Sequence, residues 1–322
     1  MRLGYSNAIK KVQEVQILMK LSLITERAVL IGHIISMIFG LAGLLLVLPN
    51  AELISSLPPS GQTLFRWSMA GGGVVYMLLG TAAVALYAYR TLGRWHWLTF
   101  MFSAIFLSLG SELLGTSTGF PFGHYHYLSG LGYKVAGLVP FTIPLSWFYL
   151  GFCAYVLARA GLNTLKLPRW AYLSGAIALG SLLLTSWDFV LDPAMSQTTV
   201  PFWIWEQPGA FFGMPYQNFV GWLGTGIVFM SVATLFWQKS PIQISANTLT
   251  FPLVVYLSNL AFATVMSVWS GFWIPALLGL IVGVFPAILC YVLATRTQTP
   301  PDNLPQTAPD AIDRDTVKVP VA

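Results

Sequence analysis

Charge is what this sequence has least of. Only 27 of its 322 residues are Asp, Glu, Lys or Arg, 8% of the chain, where a soluble domain carries about a quarter. Such a surface cannot face water on all sides, which excludes an ordinary soluble globule. Basic residues sit singly in short stretches rather than in a patch, so the net charge of +5 gives no reason to expect nucleic acid as a partner. Cysteine is nearly absent as well. Cys153 and Cys290 lie inside apolar runs and read as small buried hydrophobes, not as a disulfide framework.

Other absences narrow the chemistry. The four histidines (His33, His96, His124 and His126) are too few and too scattered for the repeated clusters of membrane di-iron oxygenases. A glycine-rich dinucleotide fingerprint after a strand, a P-loop and an Asp-rich diphosphate motif are all missing. The expectation is therefore no metal, no redox cofactor and no phosphorylated substrate. No internal repeat points to an inverted-repeat transporter. The first apolar run begins only at residue 28, too far into the chain for the apolar region of a secretory signal, so none is expected.

What the chain has in abundance is apolar length. Hydrophobic residues make up 56% of it, in runs of about 20 that each suffice to cross roughly 30 Å of hydrocarbon. The pattern predicts an all-α, polytopic integral membrane helix bundle. About eight transmembrane helices are expected, over 28–48, 67–89, 97–115, 135–158, 170–191, 218–237, 251–270 and 273–294. A re-entrant pair is the alternative for 251–294, where only Gly271 and Phe272 separate two runs. In domain terms, 1–27 is an N-terminal segment with an interfacial stretch around 9–19. Residues 28–294 are the membrane domain, and 295–322, rich in Pro, Thr and Asp, form a disordered tail.

Of the 16 basic residues, 14 fall in alternating inter-helix segments and the termini, leaving Arg66 and Lys134 on the other side. The positive-inside rule then makes both termini cytoplasmic. Trp67, Tyr87, Trp95, Trp97, Trp170, Trp187, Trp237, Trp269 and Trp273 sit near helix ends and read as an interfacial aromatic belt. Pro286 should kink the last helix.

Polar chemistry collects at one end. The stretch 110–127 reads GSELLGTSTGFPFGHYHY. It places Glu112 roughly 22 Å along its helix from Trp97, and Asp188 lies roughly 27 Å from Trp170. Both therefore approach the non-cytoplasmic side, with Asp192 and Glu206 beyond. Ionisable groups inside spans are costly and mark function by default. A structural role for Glu112 would be a buried acid tied to a helix end or to Lys134. Asp188 and Asp192 are spaced i, i+4 and would share a face if the helix persisted. Repulsion and desolvation would then favour the neutral acid, leaving a proton on one of the two at neutral pH. A turn opened by Asp192-Pro193 is the competing reading. His124 and His126 alternate and would lie together on one face of an extended strand. The segment 192–217 lacks Lys and Arg but is crowded with aromatics, as a lid lying in the interface would be.

From the residues alone, an enzyme, a proton-coupled transporter and a lipid- or pigment-binding membrane subunit all remain open. The motifs GFPFGHYHY, VPFTIPLSWF, SWDFVLDPAM, FWIWE and FFGMPYQNFVGW, in that order after an intramembrane glutamate, resemble those of the membrane carotenoid 1',2'-hydratase family. That family includes γ-carotene 1'-hydroxylases and the archaeal enzymes that finish bacterioruberin. The resemblance implies addition of water across the terminal 1',2' double bond of an acyclic carotenoid end. It implies a carotenoid substrate in membrane lipid, in the plasma or thylakoid membrane, and a carotenoid glycosyltransferase as a partner acting on the product. By position it assigns Glu112, Asp188 and Asp192 as catalytic. Tyr125, His126, Tyr127, Trp147, Trp203, Trp205, Phe212, Asn218 and Trp222 become candidate substrate contacts. At His124 the chain departs from the family, which often has a carboxylate there.

Overall fold

The computed structural model describes residues 2–198 and 200–296; the expected tail beyond residue 296 lies outside the described residues. Nine helices are described: α1 Arg2–Ala42, α2 Ala51–Ser56, α3 Pro59–Thr118, α4 Thr142–Leu162, α5 Arg169–Ser196, α6 Tyr216–Trp237, α7 Thr250–Trp269, α8 Trp273–Leu278 and α9 Phe285–Arg296. Four short strands accompany them: β1 Tyr125–Tyr127, β2 Lys134–Val135, β3 Val139–Pro140 and β4 Trp203–Trp205. Wider π-type turns at Gly43–Val47 and Gly279–Val284 extend α1 and join α8 to α9. The second stands just ahead of Pro286, where the proline ring would collide with an ordinary helical turn. The sequence 9–19 falls within α1, although its side chains up to residue 18 lie outside the described ones.

Among the described residues, seven helical stretches are long and apolar enough to cross a membrane: Met19–Val47, Gly71–Thr118, Thr142–Leu165, Arg169–Ser196, Tyr216–Trp237, Ala246–Trp269 and Trp273–Arg296. They mark an integral membrane protein. The count differs from the expected eight because the second and third runs join into one helix, α3. Within α3, Gly93 leaves helical geometry at φ 81, ψ 171, a region open to glycine and strained for other residues. The Tyr89 and Trp97 rings meet at 5.7 Å, whereas eight residues of straight helix rise about 12 Å. The chain folds back at Gly93, and 59–92 and 94–118 form two arms.

Helix α4 runs through the centre. Nearly every side chain from Thr142 to Gly161 is buried, as expected of a helix apolar on all sides. Packing, rather than exclusion from water, holds such a bundle in lipid. Phe100 of α3 meets Phe152, Phe229 and Trp237 at ring separations of 5.3, 5.7 and 5.7 Å, each such pair adding about 0.5–1.5 kcal/mol. Gly161 lets α9 approach, since a Cβ there would lie 2.6 Å from that of Cys290. The cysteine is packing material. Ile31, Ile35, Phe106, Ile281 and Phe285 are more than half exposed and present an apolar outer face.

The aromatic-belt reading needs correction at three positions. Trp67, Trp170, Trp269 and Trp273 are exposed, but Tyr87, Trp187 and Trp237 are buried. Tyr87 stacks on Phe251 at 4.6 Å, and Trp187 faces the site described next. Proximity to a helix end does not say which way a ring points.

Candidate active site

The loops at one end of the bundle close over a cavity of about 610 Å³, within the range of small-molecule sites. Strand β1 pairs antiparallel with β4, Tyr125 opposite Trp205 and Tyr127 opposite Trp203. Alternation along β1 turns Tyr125 and Tyr127 inward and His126 outward. The aromatic segment 192–217 therefore does cover this end, anchored by β4 to the Gly110–Tyr127 stretch.

Glu112 reaches the cavity from the second arm of α3 and is 2% exposed. It accepts hydrogen bonds from the Tyr125 hydroxyl, from Tyr127 Oη at 2.9 Å and from Trp147 Nε1 at 3.0 Å. Lys134 does not pair with it; Nζ donates instead to the Tyr127 carbonyl at 2.6 Å. Three donors and no acceptor suit an ionised carboxylate, which can only accept. Burial, followed by the Glu112 charge, pushes both phenols well above their ordinary value, so they remain donors at neutral pH.

Helix α5 continues past Asp192. Pro193 lies within it and the helix ends at Ser196, which corrects the reading of an Asp-Pro turn. Proline's missing N–H removes only one bond near a helix end. Asp188 and Asp192 consequently share a face, and both are 2% exposed. Asn218 Nδ2, at the start of α6, donates to Asp188 Oδ2 at 2.7 Å and lies 3.3 Å from Asp192 Oδ2. Asp192 Oδ1 also accepts from Trp205 Nε1 at 2.9 Å and from Ser196 Oγ at 3.0 Å. Among the described residues Asp188 has the one donor, Asn218, so of the three acids it has most room to carry its own proton.

Aromatic faces line the chamber. Trp147 and Trp222 stack at 4.0 Å, and Trp187 approaches Trp222 at 5.8 Å. Trp203, Trp205 and Trp222 reach the cavity directly, whereas Trp147 lies behind Trp222 and holds Glu112. Two candidates fall elsewhere. His126 is exposed, with Nδ1 3.5 Å from Glu206 Oε1 on the outer surface, because β1 alternates. Phe212 has a positive φ of 46°, and its ring packs on Phe211 and Phe272 outside the cavity. Phe122 and Ser196 also belong to the site, although the sequence did not single them out, and so does Trp187, expected in the aromatic belt. Ser196 was accessible in principle, since it continues the i, i+4 series of Asp188 and Asp192.

A membrane helix bundle with three buried carboxyl groups at the head of an apolar chamber is the class that fold and site define. A family model described as carotenoid biosynthesis protein matches residues 72–286, which covers most of the chain and all of these acids. The chain belongs to that family. It is also 38% identical over 121 residues to the bisanhydrobacterioruberin hydratase of Haloarcula japonica, a match spanning 38% of this chain and 39% of the relative. No solved structure matches.

Proposed function

We propose that this protein is a carotenoid hydratase, a hydro-lyase that adds water across the terminal 1',2' double bond of an acyclic carotenoid end to give a 1'-hydroxy carotenoid. The observation that carries the reading is the placement of Glu112, Asp188 and Asp192 together in a mostly apolar, aromatic-walled chamber. The family and the hydratase relative support the substrate class. Asp188 donates a proton to the less substituted alkene carbon, forming a C–H bond as the π bond breaks. The positive charge develops on the tertiary carbon, where indole and phenol faces stabilise it and the fixed negative charge of Glu112 acts across the chamber. Water then forms the C–O bond and releases a proton to Asp192. Passage of that proton to Asp188 restores the starting state, so the net reaction consumes one water.

The orientation we propose places this end on the non-cytoplasmic side and both termini in the cytoplasm. Arg90, Arg94, Arg159, Lys166, Arg169 and Lys239 all lie toward the other end of the helices, as the positive-inside rule requires. A transporter would need a route through that other half, which the Phe100 cluster and α4 fill with packed aromatics. Expression in a host that makes lycopene or γ-carotene, followed by pigment mass, tests the function. A gain of one water is expected; unchanged pigment alongside membrane-inserted protein would overturn it.

A further inference from the structure

The chamber is not sealed on the side facing lipid. From the acids it extends between the C-terminal part of α1 and the first arm of α3, where Phe39 and Leu64 line it while standing 53% and 57% exposed. Glycines line this stretch on both helices: Gly40 and Gly43 on one, Gly71, Gly72 and Gly73 on the other. Gly73 has a packing reason, since a Cβ there would come within 2.7 Å of the Gly130 carbonyl. At Gly40, Gly43, Gly71 and Gly72 a Cβ would meet nothing within 4 Å. Glycine is among the poorest residues for a helix interior, and among the described residues no contact requires it at these four positions. The space they leave runs into the chamber where Asp188, 2% exposed and held by Asn218, looks into the cavity.

We propose that this glycine-walled cleft is the lateral entry and seat of the substrate's polyene chain. The acyclic end passes between α1 and α3 from the lipid to the carboxyl groups, and the remaining rod stays in the cleft and the surrounding hydrocarbon. This rests on the carotenoid reading and specifies how that substrate is held. A stiff, flat conjugated chain needs a slot with low stretches in its walls, and glycines on both helices lining the cleft provide them. Chamber and cleft together enclose about 610 Å³, enough for the reacting end and the adjoining part of the chain, while a forty-carbon chain is about as long as the hydrocarbon core is thick.

The test is Gly72→Phe and Gly43→Phe, with Gly224→Phe as control. A Cβ at Gly224 also meets nothing within 4 Å, but Gly224 does not line the cavity. Each variant is purified from lycopene-producing cells, and pigment per protein and hydrated product are both measured. At least a tenfold loss of both is expected for the two cleft variants, with the control near wild type. To separate blockage from misfolding, Gly72→Cys is purified and then alkylated with a bulky maleimide; Cys153 and Cys290 are buried. Alkylation should release or exclude pigment from protein that had already folded. Cleft variants that keep pigment and turnover at control levels would overturn the proposal while leaving the hydratase reading intact. Should size-exclusion chromatography show a dimer for the wild type and a pigment-bearing monomer for the cleft variants, the proposal would be overturned in favour of a second copy packed in the cleft. If wild-type protein binds pigment through the cleft and never hydrates it, the cleft stands and the hydratase reading fails.

Discussion

The two ends of this bundle both bury charge, but they treat it differently. At the basic end, Arg90 grips Glu26 through two hydrogen bonds, at 2.7 and 2.9 Å. Arg159 is caged by Tyr155, Tyr172 and Trp237, with its guanidinium carbon 5.5, 5.3 and 5.6 Å from their ring centres. Arg90 is thus matched by an anion and Arg159 by aromatic faces. At the other end three carboxyl groups converge, and among the described residues no Lys or Arg makes an ion pair with them. Buried charge that is neutralised in place ties helices together. Buried acid left without a cation, beside an open chamber, is available for chemistry.

Mutations that neutralise each end should separate these roles. The largest effect is expected for Asp188→Asn, which removes the proposed proton donor while keeping its shape. Conversion should fall by about 10²–10⁴-fold with protein still inserted, as read by pigment analysis against membrane protein level. Glu112→Gln comes next, because an amide cannot satisfy three donors with acceptors alone; a loss of roughly 10²-fold is expected. Asp192→Asn should cost less than either. Near-normal conversion by both Asp188→Asn and Glu112→Gln would erase the distinction between the ends.

At the basic end the prediction is reversed. Glu26→Ala should lower stability by roughly 1.5–3 kcal/mol, the range for hydrogen bonds to charged groups, with specific activity of the surviving protein unchanged. Thermal unfolding in detergent alongside turnover would check it. Sidedness sharpens the contrast. Exposed Gln207 and Gln243, each changed to Cys, should react differently with an impermeant thiol reagent on intact cells, Gln207→Cys alone being labelled. The smallest effect belongs to His126→Ala. Its side chain lies outside the chamber, so conversion and stability should both stay within about 0.5 kcal/mol of wild type. A pH series adds a further check. The Tyr125 and Tyr127 phenols are raised by burial, so stability tied to them is complete below about pH 10 and lost as pH rises further.

Helical spans were legible because an apolar run of bilayer length has few other uses. The turn at Gly93 was legible only as the interval between two runs, since a fold-back that keeps its helical bonds on both sides has no sequence mark of its own. Glu112 and Asp188 stood out as acids among apolar neighbours. The pairing of β1 with β4 was hidden, because two three-residue strands 76 positions apart carry no periodicity that relates them. That pairing turns His126 away from the chamber and brings Trp205 onto Asp192. Phe212 was misplaced for a related reason: a positive φ redirects a side chain, and composition cannot reveal it.

Hydration and oxygenation leave the same hydroxyl group on a carotenoid, so the source of its oxygen tests the central claim most directly. Conversion is run in heavy-oxygen water, aerobically and anaerobically, and the product carotenoid is weighed by mass spectrometry. Chemistry by the Asp188, Glu112 and Asp192 carboxyl groups predicts a hydroxyl oxygen labelled from solvent and undiminished activity without O₂. A hydroxyl labelled from O₂ instead would contradict it.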